Sequence, residues 1–330
     1  MTLPSVIVAG GAGYIGSHMV RMLQENGYQA VVVDNLATGH ADAVRLGAVL
    51  REGDIGDPDF MRALLREHRP QCVMHFAAAS LVGESMVKPA KYWRNNLVQT
   101  LNLLDAMREC EVKQFIFSST AAVYGNPVEV PITEQHPQLP INPYGNSKLA
   151  VEKALQDYGT AYGLRSITLR YFNAAGAHPD GTLGERHEPE THLIPLVLQV
   201  ASGRREVIGR FGQDFPTRDG SCIRDYIHVQ DLCSAHLLAL QKLEQGAATT
   251  VYNLGNGNGH SVNEVIEAAR RVTGHPIPVR DDPRRAGDPP VLVADATRAR
   301  KELGWTPQHA DIETVIAHAW QWEQKGMNAR

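Results

Sequence analysis

Short apolar runs without polar alternation recur through the first half of the chain, and each is followed by apolar residues at three- and four-residue spacing. Residues 5–9 (Ser-Val-Ile-Val-Ala) are the first such run. A strand with no polar face suits a parallel sheet covered on both sides. Residues 14–25 follow with Ile15, Met19, Met22 and Leu23 on one helical face and Gly27 as a stop. The same alternation predicts strands over 29–33, 48–52, 72–75, 113–117 and 164–171. It predicts helices over 58–67 and 89–108, and one with Pro143 at N1 running to about 162. Such repetition builds an α/β fold, a doubly wound parallel sheet.

After residue 172 the pattern shortens. Residues 176–190 form a polar, Gly/Pro-rich loop, long enough to be a binding loop. A helix is expected over 192–202, turns over 211–220, and a strand over 224–229 with Asp231 as N-cap of a helix to 243. A strand over 251–254 follows, then a helix over 261–273 opened by the box Ser261-x-x-Glu264, and a strand over 276–279. Helices over 296–303 and 312–323 close the chain. The expected division is a nucleotide-binding domain over 1–175, with segments returning near 225–255. The remaining segments of 176–330 make a smaller C-terminal α/β domain for the substrate.

Composition narrows the class. Hydrophobic content of 43% and charged content of 21% in 330 residues fit a globular protein. A net charge of -4 without a basic run excludes a general nucleic-acid binder. No apolar run approaches the roughly 18 residues that span a bilayer. Residues 1–16 lack a charged leader region and enter a strand directly, so a cytoplasmic protein is expected. Cys72, Cys110, Cys222 and Cys233 are scattered and read as free thiols, three of them core filler.

The first strand runs into Gly10-Gly11-Ala12-Gly13-Tyr14-Ile15-Gly16, and the second ends at Asp34. Glycines let backbone approach a pyrophosphate, and the following helix offers free N–H groups to it. Asp34 can accept from adenosine ribose hydroxyls and would repel a 2′-phosphate, which favours NAD over NADP. The glycines fit two registers, Gly11-x-Gly13-x-x-Gly16 and Gly10-x-x-Gly13-x-x-Gly16. Asp54, at the next strand end, either lies at the adenine or caps a turn. Phe76-Ala77-Ala78-Ala79-Ser80 puts small residues after a strand, where a ligand can press on backbone. Asn95 and Asn96 stand inside a helix, where asparagine is mildly unfavourable, so one is expected to order a loop or ligand.

Ser118-Ser119-Thr120 closes a strand with hydroxyls that either meet a substrate oxygen or cap the turn. Asn142-Pro143-Tyr144-Gly145-Asn146-Ser147-Lys148 opens a helix with a phenol and an ammonium four residues apart on one face. An ammonium lowers a phenol's pKa, so the pair can take a proton from an alcohol; the plain alternative is an ordinary helix start. His178, His187 and His192 match no standard ligand spacing and no carboxylates are expected beside them, so no metal is expected. Arg284 and Arg285, in a loop, suit either solvent or a diphosphate.

Together, Gly10-x-x-Gly13-x-x-Gly16, Thr120 and Tyr144-x-x-x-Lys148 resemble the extended short-chain dehydrogenase/reductase superfamily. Val82-Gly83-Glu84-Ser85, Arg170-Tyr171-Phe172-Asn173-Ala174-Ala175-Gly176 and Arg224-Asp225-Tyr226-Ile227-His228-Val229 bring the chain close to its UDP-glucose 4-epimerases over essentially its whole length. The resemblance implies a Rossmann-type sheet, a UDP-sugar substrate, a homodimer, and an isomerase of galactose metabolism. In it Tyr144 is the base, Lys148 tunes it, Thr120 orients the 4-OH, and NAD takes and returns the C4 hydride. It also implies a cofactor side of Gly10, Gly13, Tyr14, Ile15, Asp34, Asn35, Asp54, Ile55, Phe76, Ala77, Asn95, Ser118 and Tyr171, with Tyr144 and Lys148. The implied substrate side is Asn173, His192, Leu193, Phe211, Arg224, Arg285 and Asp288.

Three positions depart from the family. Ser80 stands where many members carry Lys, and His192 where Asn is common. Leu292 stands where members restricted to unacetylated sugars carry Tyr, so N-acetylhexosamine nucleotides are expected to fit as well. Ala121 and Ala122 after Thr120 remove the acid pair of a 4,6-dehydratase. An epimerase of UDP-glucuronate or UDP-N-acetylglucosamine, and a non-catalytic dinucleotide sensor, are the alternatives.

Overall fold

The computed structural model describes residues 3–44, 47–285 and 288–328. Its strands are β1 (Ser5–Ala9), β2 (Gln29–Asp34), β3 (Val49–Glu52), β4 (Cys72–His75), β5 (Gln114–Thr120), β6 (Arg165–Tyr171), β7 (Asn173–Ala175), β8 (Ile208–Phe211), β9 (Ile223–His228), β10 (Thr250–Leu254), β11 (Gly259–Ser261), β12 (Val279–Asp282) and β13 (Val291–Leu292). Seven of them form one parallel sheet in the order β10-β6-β5-β4-β1-β2-β3. The chain starts at β1, runs to one edge, and returns past β1 to build the other half. The strand order therefore reverses between β1 and β4, which is where such sheets bind ligands, beyond the strand C-termini.

The unbroken apolar runs are explained by the two layers. Val6 and Val8 join Met19, Leu23, Leu232 and Leu240 on one side. Ile7 and Ala9 join Met61, Leu65, Leu104 and Val151 on the other. Period-two geometry sends neighbours to opposite faces, and both faces are covered by helices. Each fully buried Val or Phe here contributes roughly 2 kcal/mol.

The second half holds short sheets. β9 pairs with β7, β11 and β13, and β12 pairs with β8. The expected strand over 276–279 is displaced to β12, because pairing with β8 fixes the register there. β7, β8, β11 and β13 are too short to announce themselves in the sequence. The helix over 89–108 is instead Pro89–Tyr92 and Gln99–Glu109 joined by a π-helical stretch, Trp93–Val98. Asn96 causes a local demand there: its side chain turns inward and bonds both backbone groups of Ala79, at 2.9 and 3.0 Å. A short helix, Val82–Val87, precedes it.

The helix Val229–Glu244 starts one turn before the expected cap: His228 is its N-cap, accepting from the Gln230 N–H. Asp231 is free for another task, and its buried carboxylate accepts from the backbone N–H of Gln308 and His309, both at 2.8 Å. Cys72, Cys222 and Cys233 are buried and Cys110 half-buried, all free. Among the described residues no helix is long and apolar enough to cross a membrane. Ala286 and Gly287, in the expected basic loop, lie outside the described residues.

Candidate active site

The glycine turn occupies the point where the strand order reverses. Gly10 has φ +78°, and a Cβ there would lie 2.6 Å from the Ala77 backbone nitrogen, so the turn after β1 and the loop after β4 touch. Gly16 packs on the Gly10 carbonyl with no room for a side chain. Gly13 differs: a Cβ on it would meet only the Gly10 carbonyl oxygen, at 3.4 Å. The register Gly10-x-x-Gly13-x-x-Gly16 therefore carries the roles of tight turn, ligand-facing surface and helix packing. The helix Tyr14–Glu25 has no side-chain cap at Gly13 and no acid in its first turn. An anion fits such a start.

Asp34, at the end of β2, is nearly buried. Its oxygens accept from Ala12 N at 3.0 Å and Leu36 N at 2.9 Å. Those bonds fix the carboxylate beside the turn and leave lone pairs for diol hydroxyls. The glycine turn, helix start and acid thus fit a dinucleotide. Tyr14 donates to the Gly176 carbonyl at 2.7 Å, tying the turn to the segment after β7. Asn35 is exposed and accepts from Ala37 N. Asp54 is a turn cap: one oxygen accepts from Gly56 N at 2.7 Å and the other from Gln99 at 3.1 Å. Ile55 packs into the core, and Asn95 donates to Asn96 rather than to the loop.

The hydroxyl and the Tyr–Lys pair meet at the C-terminal end of β5. Thr120 is its last residue, and its Oγ1 accepts from Ala122 N while sharing a hydrogen bond with Tyr144. The turn-capping reading of this threonine holds, and the same hydroxyl also touches the phenol. Asn142 caps the helix Pro143–Tyr162 by accepting from Gly145 N at 2.8 Å, which orients its first turn. One turn on, Lys148 is buried, donates to the Ser118 carbonyl at 2.9 Å, and lies 4.7 Å from the Phe117 ring centroid.

The electrostatics correct one expectation. Burial raises the Tyr144 pKa, and the bond to Thr120 opposes that rise; Lys148 adds no lowering. The amine points to the Ser118 carbonyl, and burial lowers its own pKa to about 7, with Glu152 acting the other way.

Behind these groups lies a buried network that sequence reasoning missed. Glu152 accepts from Ser119 Oγ at 2.5 Å and bidentately from Arg170, whose guanidinium also donates to Tyr124 at 2.9 Å. Tyr124 in turn donates to Asn253. The signal was present: Glu152 lies four residues after Lys148, as Lys148 does after Tyr144. Ser118 Oγ pairs with His236 at 3.1 Å, and Phe76 and Tyr171 lie against the same imidazole.

Of the substrate-side residues, Phe211 and Arg285 stack at 3.9 Å. Arg224 pairs with Asp288 at 3.3 Å. Leu292 stands beside Arg224 across β13 and β9, and packs with Phe172 on Val123 and Tyr124. Asn173 lies opposite Tyr226 where β7 pairs with β9. His192 turns instead to Glu185, just before Leu193 opens its helix. Here the expectation that no carboxylates gather at the loop histidines fails. Glu185 and Glu190 surround His187 and His192, because the loop folds back on itself.

A doubly wound sheet with this glycine turn, this acid and a Tyr–Lys–Thr set defines a dinucleotide-dependent enzyme acting at an alcohol carbon. Comparison with known proteins narrows the class. Residues 6–255 match the model of the NAD dependent epimerase/dehydratase family. The UDP-glucose 4-epimerase of Halalkalibacterium halodurans is 52% identical over 321 residues, covering 97% of this chain and 96% of that one. The crystal structure of UDP-glucose 4-epimerase from Brucella ovis in complex with NAD is similar at a TM-score of 0.94 and 49% identity, covering 96% and 97%. The UDP-Glc/GlcNAc 4-epimerase of Campylobacter jejuni is similar at a TM-score of 0.85 and 42% identity, covering 98% and 99%. The chain belongs to the NAD dependent epimerase/dehydratase family.

Proposed function

We propose that the protein interconverts UDP-galactose and UDP-glucose by inverting the sugar C4, with NAD held through each turnover. The observation that carries this reading is the contact of Tyr144 with Thr120 one helical turn from buried Lys148. When bound, NAD supplies the acceptor for the C4 hydride and gives it back. Tyr144 takes the proton from the 4-hydroxyl and later returns it to the same oxygen. Thr120 holds that oxygen and favours the phenolate. Lys148 holds the nicotinamide ribose and anchors the Ser118 end of β5. Gly10, Gly13, Tyr14, Ile15, Asp34, Phe76, Ala77, Ser118 and Tyr171 form the cofactor side.

On the substrate side, Phe211 and Arg285 take the uridine end, and Arg224 the diphosphate. Arginine suits this because its planar guanidinium binds phosphate oxygens bidentately. Asp288 holds Arg224 in place, and Asn173 lines the sugar. The substrate region is the smaller unit of two, built from the short sheets and their helices.

The test follows C4 inversion of UDP-galactose by NMR. Wild type inverts it, and Tyr144→Phe lowers the rate by about 10²–10⁴-fold while UDP-sugar binding persists. A variant working near the wild-type rate would make another group the base. Leu292 supports a second substrate class: its side chain is smaller than a tyrosine beside the sugar, and the related Campylobacter enzyme handles UDP-GlcNAc by name. Turnover of UDP-N-acetylgalactosamine in the same assay is expected, and none would restrict the enzyme to unacetylated hexoses. A UDP-galacturonate arm tests the uronate alternative.

Val82, Met86, Val87 and Val98 expose apolar surface along the helical stretch before Gln99. That face supports homodimer formation through this stretch and the helix Pro143–Tyr162, which sedimentation would check. Four free thiols fit a reducing cytoplasm.

A further inference from the structure

We propose that Glu185, His187, Glu190 and His192 form a binding site for a divalent transition-metal ion of the zinc type. The four lie within eight residues of the loop that joins β7 to the helix Leu193–Ala201. One ligand atom from each lies within 4.8 Å of the others. His187 Nδ1 is 3.1 Å from Glu185 Oε1 and 3.8 Å from Glu190 Oε2. His192 Nδ1 is 3.9 Å from Glu190 Oε1 and contacts Glu185 Oε1 directly. Four tetrahedral ligands at about 2.1 Å from zinc stand roughly 3.4 Å from one another. The observed separations bracket that value.

Charge supplies an independent reason. The Glu185 and Glu190 side chains are only 5% and 6% exposed. Among the described residues neither carboxylate pairs with a lysine or arginine; their ion-pair partners are the two imidazoles. Arg186, between them, turns away to Asp42. Two buried negative charges need compensation, and a dication supplies it in one step. Two protonated imidazoles are the rival way to reach neutrality.

The donor set selects the metal. Two imidazoles with two carboxylates suit zinc or its neighbours, whereas magnesium and calcium prefer oxygen shells. Backbone bonds from outside the cluster help to hold the loop. Trp322 Nε1 donates to the Glu185 carbonyl at 2.9 Å, and the His40 ring meets the Arg186 carbonyl at 3.2 Å. Glu190 Oε1 also accepts from Thr191 N and His192 N, which sets the entry to the helix. An ion here would clip the loop to the start of the helix Leu193–Ala201. Its role is structural, outside the hydride chemistry.

The experiment uses tag-free full-length protein with its cofactor, treated with chelator, then supplied with zinc chloride and desalted. One zinc per chain by mass spectrometry is expected, together with a melting temperature at least about 3 °C above the chelated protein. Zinc affinity should fall between pH 7.5 and 5.5 as protons compete with the ion for the imidazoles. Glu190→Gln keeps an acceptor oxygen for the Thr191 and His192 amides; it and His187→Gln should each weaken zinc about 10-fold or more in chelator competition. Substoichiometric zinc with unchanged melting would overturn the proposal in favour of paired imidazolium groups. Full zinc retention by both variants would overturn it by placing the ion elsewhere.

Discussion

In the seven-stranded sheet β1 buries all five of its residues, whereas in the small sheet β13 is two residues long. The first region is held by apolar layers on both faces. The second has its own apolar core, around Val197, Val265 and Ile316, and adds buried acids that collect backbone N–H groups. Asp225 accepts from Asn256, Gly257 and Ala294 at 2.8, 3.0 and 3.1 Å. Asp231, on the helix that packs against the large sheet, does the same for Gln308 and His309. The difference teaches where each half is vulnerable. The first region rests on its apolar layers, and the second adds to its apolar core a few polar anchors whose loss should be felt locally.

Acid gives the largest effect, and most of it falls on the first region, although burial also holds His228 of β9 well below the usual imidazole range. His18, His75 and His236 are buried there, and burial lowers their pKa values to about 4, 3 and 4 from 6.5. The unfolded chain therefore binds more protons below pH 6.5, so stability is whole above that pH and drains as pH falls toward 4. Each histidine costs about 2 kcal/mol at pH 5, roughly 6 kcal/mol together. Urea melts at pH 7, 6 and 5 read this directly, and His236→Gln should flatten the slope. A midpoint that does not move would show that these imidazoles are not held neutral.

Asp225→Asn tests the second region. It replaces one acceptor oxygen by a donor facing backbone N–H groups, at a cost of about 3 kcal/mol. Hydrogen exchange should show the loss around Asn256 and Ala294, with β1 to β5 unchanged. Uniform loss of protection would mean that the two regions unfold as one. The smallest effect is expected at the surface: Arg285→Ala removes the group stacked on Phe211 and should raise KM about 10-fold, about 1.4 kcal/mol, with kcat nearly kept. A fall in kcat instead would tie Arg285 to the chemistry.

These contrasts also explain what could be read from residues alone. The helix Pro143–Tyr162, β1 and β4 match their expected limits, because double-sided burial and a proline–asparagine start leave local marks. β7, β8, β11 and β13 leave none, since two to four residues carry too little pattern. The same division runs through the site. The glycines, Asp34, Thr120, Tyr144 and Lys148 stand in local motifs. Glu152 behind Ser119, and Glu185 and Glu190 around two histidines, were brought together by folding.

The sequence by itself determined the doubly wound sheet, the glycine turn and the phenol–amine spacing, because each depends on residues close along the chain. Only the tertiary structure decided that Thr120 meets the Tyr144 phenol and that the Lys148 amine points to the Ser118 carbonyl. It alone decided that Asp54 caps a turn, and that two carboxylates close around His187 and His192. The reason is that burial and the direction of a hydrogen bond are set by what packs on a residue from distant segments, and no local pattern carries that information.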